Sequence, residues 1–518
     1  MTEKNLVNGE VDQKFQTLLS NANAARVISQ AIEGTIGPKG LDIMMVDKFG
    51  DVVISNDGVT ILKLMEVNHP AARMIINAAK AQQAEVGDGT TTATLLAGAM
   101  ISVGAEQVLK GVPVTKVIQG IKIGTEHCLR VIKSQSIEIE SFDDEKLLNV
   151  ALIAGRGEMD LARLVIEGAQ IIGTDRMLAP DFKFCDTVVA REAVESKVFT
   201  GVLINREPLN QEMPLSLDNV KILLLSDTLA PEEVDSEARS TENGFQYFLH
   251  NREQYQHNLN KIAEMGVKLV VTDRGIDDLA EQIFSDAGIM AIQRVSHLEM
   301  ERIARSSGAR KIKRSALNKE AGLLQKYLGF AEKVEVDQKA GHTLLYNGGG
   351  ESTATILIGA ATEELVEERE RIARDAAAAV QAALQQGIVP GAGSAEIWAA
   401  QHLNELAWEL KGMNSYGVLC VKEALLKPFH CIAQNAGFNP LEKMEEVVVA
   451  QMQNESGFIG MDCDSGEIID VMEAGIVDPA WVKMYAIKTA ADVTVAILKI
   501  NTIIKMNEID TARLPNME

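Results

Sequence analysis

Aromatic side chains are scarce in this chain: phenylalanine, tyrosine and tryptophan together make up 4% of its 518 residues. Its cores must therefore come from Ala, Val, Ile, Leu and 20 methionines, a mixture that favours helices with adaptable packing. Cysteine is sparse too, and its pattern is uninformative for metals. Cys128, Cys185, Cys420, Cys431 and Cys463 are odd in number and contain no C-x-x-C pair, which argues against a zinc site or a disulfide framework and for reduced thiols. Basic residues are outnumbered, 50 against 73 acids, for a formal charge of −23. That balance repels nucleic acid and acidic membranes. No uninterrupted apolar run approaches membrane length, and Met1 to Asn5 carry no charged-then-apolar targeting pattern, so a cytoplasmic location is expected.

What is present is more specific. Residues Gly87 to Thr92 read Gly-Asp-Gly-Thr-Thr-Thr, a loop suited to phosphate but lacking the lysine of a P-loop. Charge neutralisation then falls to a cation held by Asp88. Pro70 opens a helix upstream, and Thr90 to Leu109 forms an Ala- and Leu-rich helix downstream, so the loop joins helix to helix. A dinucleotide fingerprint or Walker loop follows a strand, and both lose their structural context here. A helix N-terminus remains, with free N–H groups and the hydroxyls of Thr90, Thr91 and Thr92. A glycine cap followed by an ordinary turn is the alternative.

A length of 518 residues suits about three domains at roughly 150 residues each. Both ends read as helical, with a hairpin of Leu41–Val46 and Val52–Ser55 near the start. Between Val198 and Thr362, β-branched runs alternate with helices, the pattern of an α/β domain inserted into a helical one. Glu145 to Gly173 and Glu363 to Gln386 connect the two. An excursion at 230–265 carries Phe245, Tyr247 and Phe248, which read as a contact surface for another chain, followed by Leu259 and Ile262, which read as packing.

Two further aspartates fit phosphoryl chemistry, which needs a carboxylate to orient the attacking water. Asp57 precedes Gly58 at a strand end, and Asp375 lies on the second connector helix; an Asp-Gly turn and a solvated helix charge are the more common explanations of such residues. Spacing alone does not bring 57, 88 and 375 together. Gly387 to Gly393 forms a second glycine loop, and Asp478-Pro479 precedes the last long helix, where the aspartate serves as a cap or a ribose ligand.

In order, Thr35–Gly40, Asn56–Lys63, Glu66–Ala72, Gly87–Thr92, Gly387–Gly391 and Ala486–Ala490 resemble the chaperonins, specifically the group II branch of thermosome and eukaryotic cytosolic type. The resemblance covers residues 15 to 508 and places the chain as an outlying member. It implies a multi-domain subunit: an α-helical equatorial ATPase domain (1–142 and 390–518), a small α/β intermediate hinge (143–212 and 361–389), and an α/β apical domain (213–360) with a helical protrusion at about 230–265 acting as a built-in lid.

By the same resemblance, Asp88 holds Mg2+ and ATP phosphate, with K+ a further cation, and Gly87, Gly89, Thr90, Thr91 and Thr92 supply donors. Asp57 and Asp375 activate water. Thr35, Gly37, Pro38, Gly391 and Asp478 line the nucleotide, and Arg156 stands where a γ-phosphate-sensing lysine is usual. Ala392 replaces a third glycine, and the tail from Thr511 lacks a glycine-methionine repeat. In the apical domain, Ile276, Leu279, Ile283 and Phe284, or Met300 and Ile303, are candidates to offer apolar surface to non-native clients. The resemblance also implies two stacked rings of about eight subunits and no separate cap. A non-chaperone ATP enzyme and a ring scaffold without folding activity are the alternatives.

Overall fold

The computed structural model describes residues 3–232 and 241–504, excluding the side chains of residues 3–15 and 364. The stretch 233–240 of the expected protrusion and the tail from 505 lie outside the described residues. The chain forms two compact units, Met1–Gly157 with Ala378–Glu518, and Glu158–Ala377.

The first unit is helical. Helices Pro70–Glu85, Thr90–Leu109, Val114–Ser134, Ser394–Glu409, Asn414–Asn435 and Ala480–Leu498 share a core of Ala, Ile, Leu and Val. Few aromatics are needed because the helices approach closely. Gly120 and Gly417 lie where two of them cross, and a Cβ on Gly120 would fall 2.0 Å from the Asn414 carbonyl oxygen. The Thr90–Leu109 helix is apolar and long enough to cross a membrane, yet more than half of it is buried within this core. Small antiparallel pairs join Ile388–Pro390 to Val477–Pro479 and Ile459–Met461 to Ile468–Asp470. Strands Ile43–Val46 and Val52–Ser55 form a separate hairpin whose Met44, Val46, Phe49, Val52 and Ile54 are all exposed.

The second unit holds an eight-stranded mixed sheet. Its order is Val188–Glu192, Ala354–Ala360, Lys197–Ile204, His342–Gly348, Gly329–Asp337, Ser216–Leu225, Val267–Thr272 and Met290–Ile292. The last three strands run parallel. Their residues alternate between two layers: Leu223, Leu225 and Val270 pack with helices Glu242–Glu264 and Asp278–Asp286, while Ile222, Leu224, Leu269 and Val271 pack with helix His297–Ser307. Burial on both faces is why the sequence shows continuous apolar runs there instead of alternation.

Candidate functional site

Asp88 sits between two glycines in the left-handed region, Gly87 at φ 80° and Gly89 at φ 79°. Its Oδ1 accepts the Gly89 N–H at 2.5 Å. Gly89 is also the N-cap of Thr90–Leu109, and having no side chain it leaves the first-turn donors without a side-chain cap. Thr90 is buried, while Thr91 and Thr92 are half-buried.

The loop is clamped from below by Gln82. Its buried Nε2 donates to the Asp88 carbonyl at 2.8 Å and to the Val482 carbonyl at 3.2 Å.

Asp57 caps the Gly58–Leu64 helix, its Oδ2 accepting from the Thr60 N–H at 2.9 Å and the Thr60 hydroxyl at 2.6 Å. A Cβ on Gly58 would lie 2.5 Å from Thr91 Oγ1, so the two helix N-termini meet and Asp57 stands beside the phosphate-type loop. Asp478 comes from the other side, paired with Val389 across the short sheet. Gly391 donates its N–H to Ile476 O at 2.9 Å, fixing the turn next to it. Burial raises the Asp88 carboxyl above the ordinary range. The Gly89 N–H opposes this, Asp478 and Asp57 push it further up, and Lys483 pulls it down.

Sequence reasoning missed the cation of this site. Lys483 Nζ donates to Glu396 Oε1 at 2.6 Å and contacts Asp478 Oδ2 at 2.8 Å. Burial alone would lower its pKa, but the two carboxylates leave it raised. Neither Glu396 nor Lys483 lies in a motif, and 87 positions separate them. The one usable signal was that Lys483 falls among apolar residues in the first turn of the last long helix. Gln82 gave no signal at all.

The remaining predicted residues are placed variously. Thr35 ends a short 3-10 turn and returns its hydroxyl to Ile32 O at 2.9 Å, while Gly37, at φ 87°, and Pro38 are exposed in the turn that follows. Asn435 fixes that turn by donating to the Glu33 and Ile36 carbonyls, each at 2.9 Å. Arg156 is exposed at φ 55°, just after helix Glu145–Ala154. Asp375 belongs to the second unit, where it pairs with Arg371 Nη1 at 2.9 Å on the Glu363–Gln386 helix. Among the described residues no cluster of three His, Cys, Asp or Glu side chains forms a metal cage.

The apolar apical candidates need correction. Phe284, Met300 and Ile303 are fully buried in the layers on the two faces of the sheet, and Ile276, Leu279 and Ile283 pack against the Phe284 layer. The side chains of Phe284, Met300 and Ile303 are spent on the unit's own core, which a helical apolar stripe does not distinguish from a contact surface, while Ile276, Leu279 and Ile283 stay half-buried. In the Glu242–Glu264 helix, Tyr255, Leu259 and Ile262 are buried, whereas Phe245 and Tyr247 are exposed and Phe248 stacks on Phe245 with centroids 6.5 Å apart.

Comparison with known proteins gives one picture. The family model of the TCP-1/cpn60 chaperonins matches residues 28–508. A thermosome subunit of Pyrococcus abyssi is 34% identical over 95% of this chain and 91% of its own. The thermosome subunit beta of Archaeoglobus fulgidus is also 34% identical, over 93% of this chain and 91% of its own. A crystal structure of a group III chaperonin in the open state superposes with a TM-score of 0.86 at 45% identity, covering 95% of this chain and all of that one.

Proposed function

Since the chain belongs to the TCP-1/cpn60 chaperonin family, we propose that its chaperone activity is driven by Mg-ATP bound and hydrolysed at the Asp88 loop. The observation that carries this is the uncapped N-terminus of Thr90–Leu109 with Asp57, Asp88 and Asp478 gathered round it. An open helix N-terminus favours an anion, and three carboxylates beside it repel one. A divalent cation bridging carboxylate and phosphate resolves the conflict, and Mg2+ typically takes one or two protein carboxylates with phosphates completing its shell.

In this reading Asp88 holds the metal and the first-turn N–H groups and threonine hydroxyls hold phosphate oxygens. Gly37, Pro38 and Gly391 leave room for the nucleoside, and Asp478 takes the ribose hydroxyls. Asp57, already oriented by Thr60, aligns the attacking water together with Asp375. Arg156 answers the γ-phosphate with a forked grip.

Self-association into stacked rings is supported by the Ile43–Ser55 hairpin, whose exposed apolar residues and open strand edges fit pairing with another subunit. The exposed Phe245 and Tyr247 suit a built-in lid, so no separate cap is expected. Non-native proteins are the clients, and the five free thiols suit a reducing cytoplasm. The identity to the group III chaperonin, higher than that to either thermosome subunit, agrees with an outlying place relative to the thermosomes.

Electron-microscopic class averages of purified protein with and without Mg-ATP, combined with rescue of a denatured test enzyme, test this reading. Rings that change lid state with ATP and rescue the enzyme support it. A monomer with ATP turnover points to an ordinary ATP enzyme, and rings without rescue point to a scaffold.

A further inference from the structure

Lys483 is buried in the helical unit, its side chain 8% exposed, between two carboxylates. Glu396, 1% exposed, comes from the first turn of the Ser394–Glu409 helix, where the N-terminal end of the helix dipole favours a negative charge. Asp478 differs: its side chain is 31% exposed, so water alone could solvate it. A lysine buried only for stability would be neutralised by Glu396, and a second carboxylate leaves the group with an excess negative charge beside Asp88. Glu396 Oε2 is buried without a partner, so Glu396 is bound through Oε1 alone. The feature this arrangement adds is order. One oxygen of Asp478 is fixed by a lysine that is itself anchored from behind, while the Asp478 backbone is fixed by pairing with Val389.

We propose that Lys483, anchored by Glu396, is a positioning residue that presets the Asp478 carboxylate to accept the hydroxyls of a nucleotide's ribose, making the site selective for ribonucleotides. This rests on the reading of the Asp88 loop as a nucleotide site. A preset acceptor gains from a ribose hydroxyl without ordering its own side chain, and it is left unpaired by the deoxy analogue. A carboxylate free to turn into water discriminates far less.

The test is calorimetric binding of ADP and 2′-deoxy-ADP, each with Mg2+, to the assembled full-length protein, which keeps hydrolysis out of the measurement. Wild type is expected to prefer ADP by about tenfold or more. Replacing Lys483 alone would strand a buried carboxylate, so the main variant is Lys483→Met with Glu396→Met, which exchanges the buried pair for apolar volume. Its preference should fall to within about twofold, as should that of Asp478→Asn. Glu396→Gln, nearly isosteric, keeps the question open to measurement if the double variant does not assemble, and it should lose part of the preference. A wild-type ratio in the double variant, or in Glu396→Gln when the double variant does not assemble, overturns the positioning role. A wild-type ratio in Asp478→Asn shows that the ribose assignment itself is wrong, and the absence of any ADP binding by wild type removes the nucleotide reading beneath both.

Discussion

A Cβ on Gly89 would lie 2.6 Å from Val482 Cγ1 and 3.0 Å from Gln82 Nε2, so the loop meets the last long helix with no room for a side chain. Gly89 is also in the left-handed region at φ 79°. Gly89→Ala combines backbone strain of about 1–2 kcal/mol with overpacking of about 1–3 kcal/mol. The unfolding midpoint should fall and Mg-nucleotide affinity should drop at least about tenfold. Gly111→Ala, at φ 98° with open space around it, should show the strain alone.

Gln82→Leu removes the buried amide that holds the Asp88 and Val482 carbonyls. Leaving the Asp88 carbonyl without this donor costs about 1–3 kcal/mol. The loss should appear in thermal unfolding and in faster hydrogen exchange of the Gly89 to Thr92 amides. Unchanged exchange would show that the loop holds its shape without the clamp.

Asp375→Ala should leave nucleotide affinity within about twofold and lower ATP turnover by about 100-fold or more. Arg371 keeps Glu368 at 2.6 Å, so the change in stability should stay within about 1 kcal/mol. Turnover measured at saturating ATP decides this, and unchanged turnover removes Asp375 from the chemistry.

His342 is fully buried, and its ring has no side-chain hydrogen-bond partner, only the Ala340 backbone within reach. Burial lowers its pKa, against a smaller opposing pull from Asp337, so the folded unit holds the neutral ring while the unfolded chain titrates near 6.5. The stabilising contribution is therefore complete above about pH 6.5 and is lost as pH falls towards the depressed folded value, with a slope of at most about 1.4 kcal/mol per pH unit. Urea midpoints from pH 7.5 to 5.5 should show this decline, and His342→Leu should flatten it.

Ala392 takes a left-handed conformation at φ 52° where the resemblance leads one to expect glycine. Ala392→Gly relieves about 1–2 kcal/mol of strain against about 0.4–1 kcal/mol of added chain entropy. A net gain of about 0.5–1 kcal/mol should raise the unfolding midpoint, and a fall would mean that the Ala392 methyl packs usefully.

The helix–loop–helix around Asp88 was legible because its signals are local: glycines on both sides of an aspartate, a proline opening one helix and threonines opening the next. The inserted sheet was legible from continuous apolar runs such as Ile222 to Leu225. Other features had no local signature. Lys483 and Glu396 meet only because a strand pairing brings Val389 to Asp478, and Gln82 works through backbone carbonyls that carry no sequence identity. Phe284, Met300 and Ile303 were misjudged because helical periodicity reports that one face is apolar without telling which neighbour covers it.

The hairpin from Ile43 to Ser55 has a thermodynamic consequence. Among the described residues these two strands pair only with each other, and while Ile43 and Met45 lie against the helical core, Met44, Val46, Val52 and Ile54 are exposed, so the ribbon has little stability of its own. In the proposed ring, a neighbouring subunit pairing with those edges would supply part of the free energy that keeps residues 43–55 in shape, and their order would then depend on protein concentration by mass action. Dilution is then a denaturant that acts on one segment, and amide exchange in the hairpin should accelerate on dilution while exchange in the Thr90–Leu109 helix holds constant.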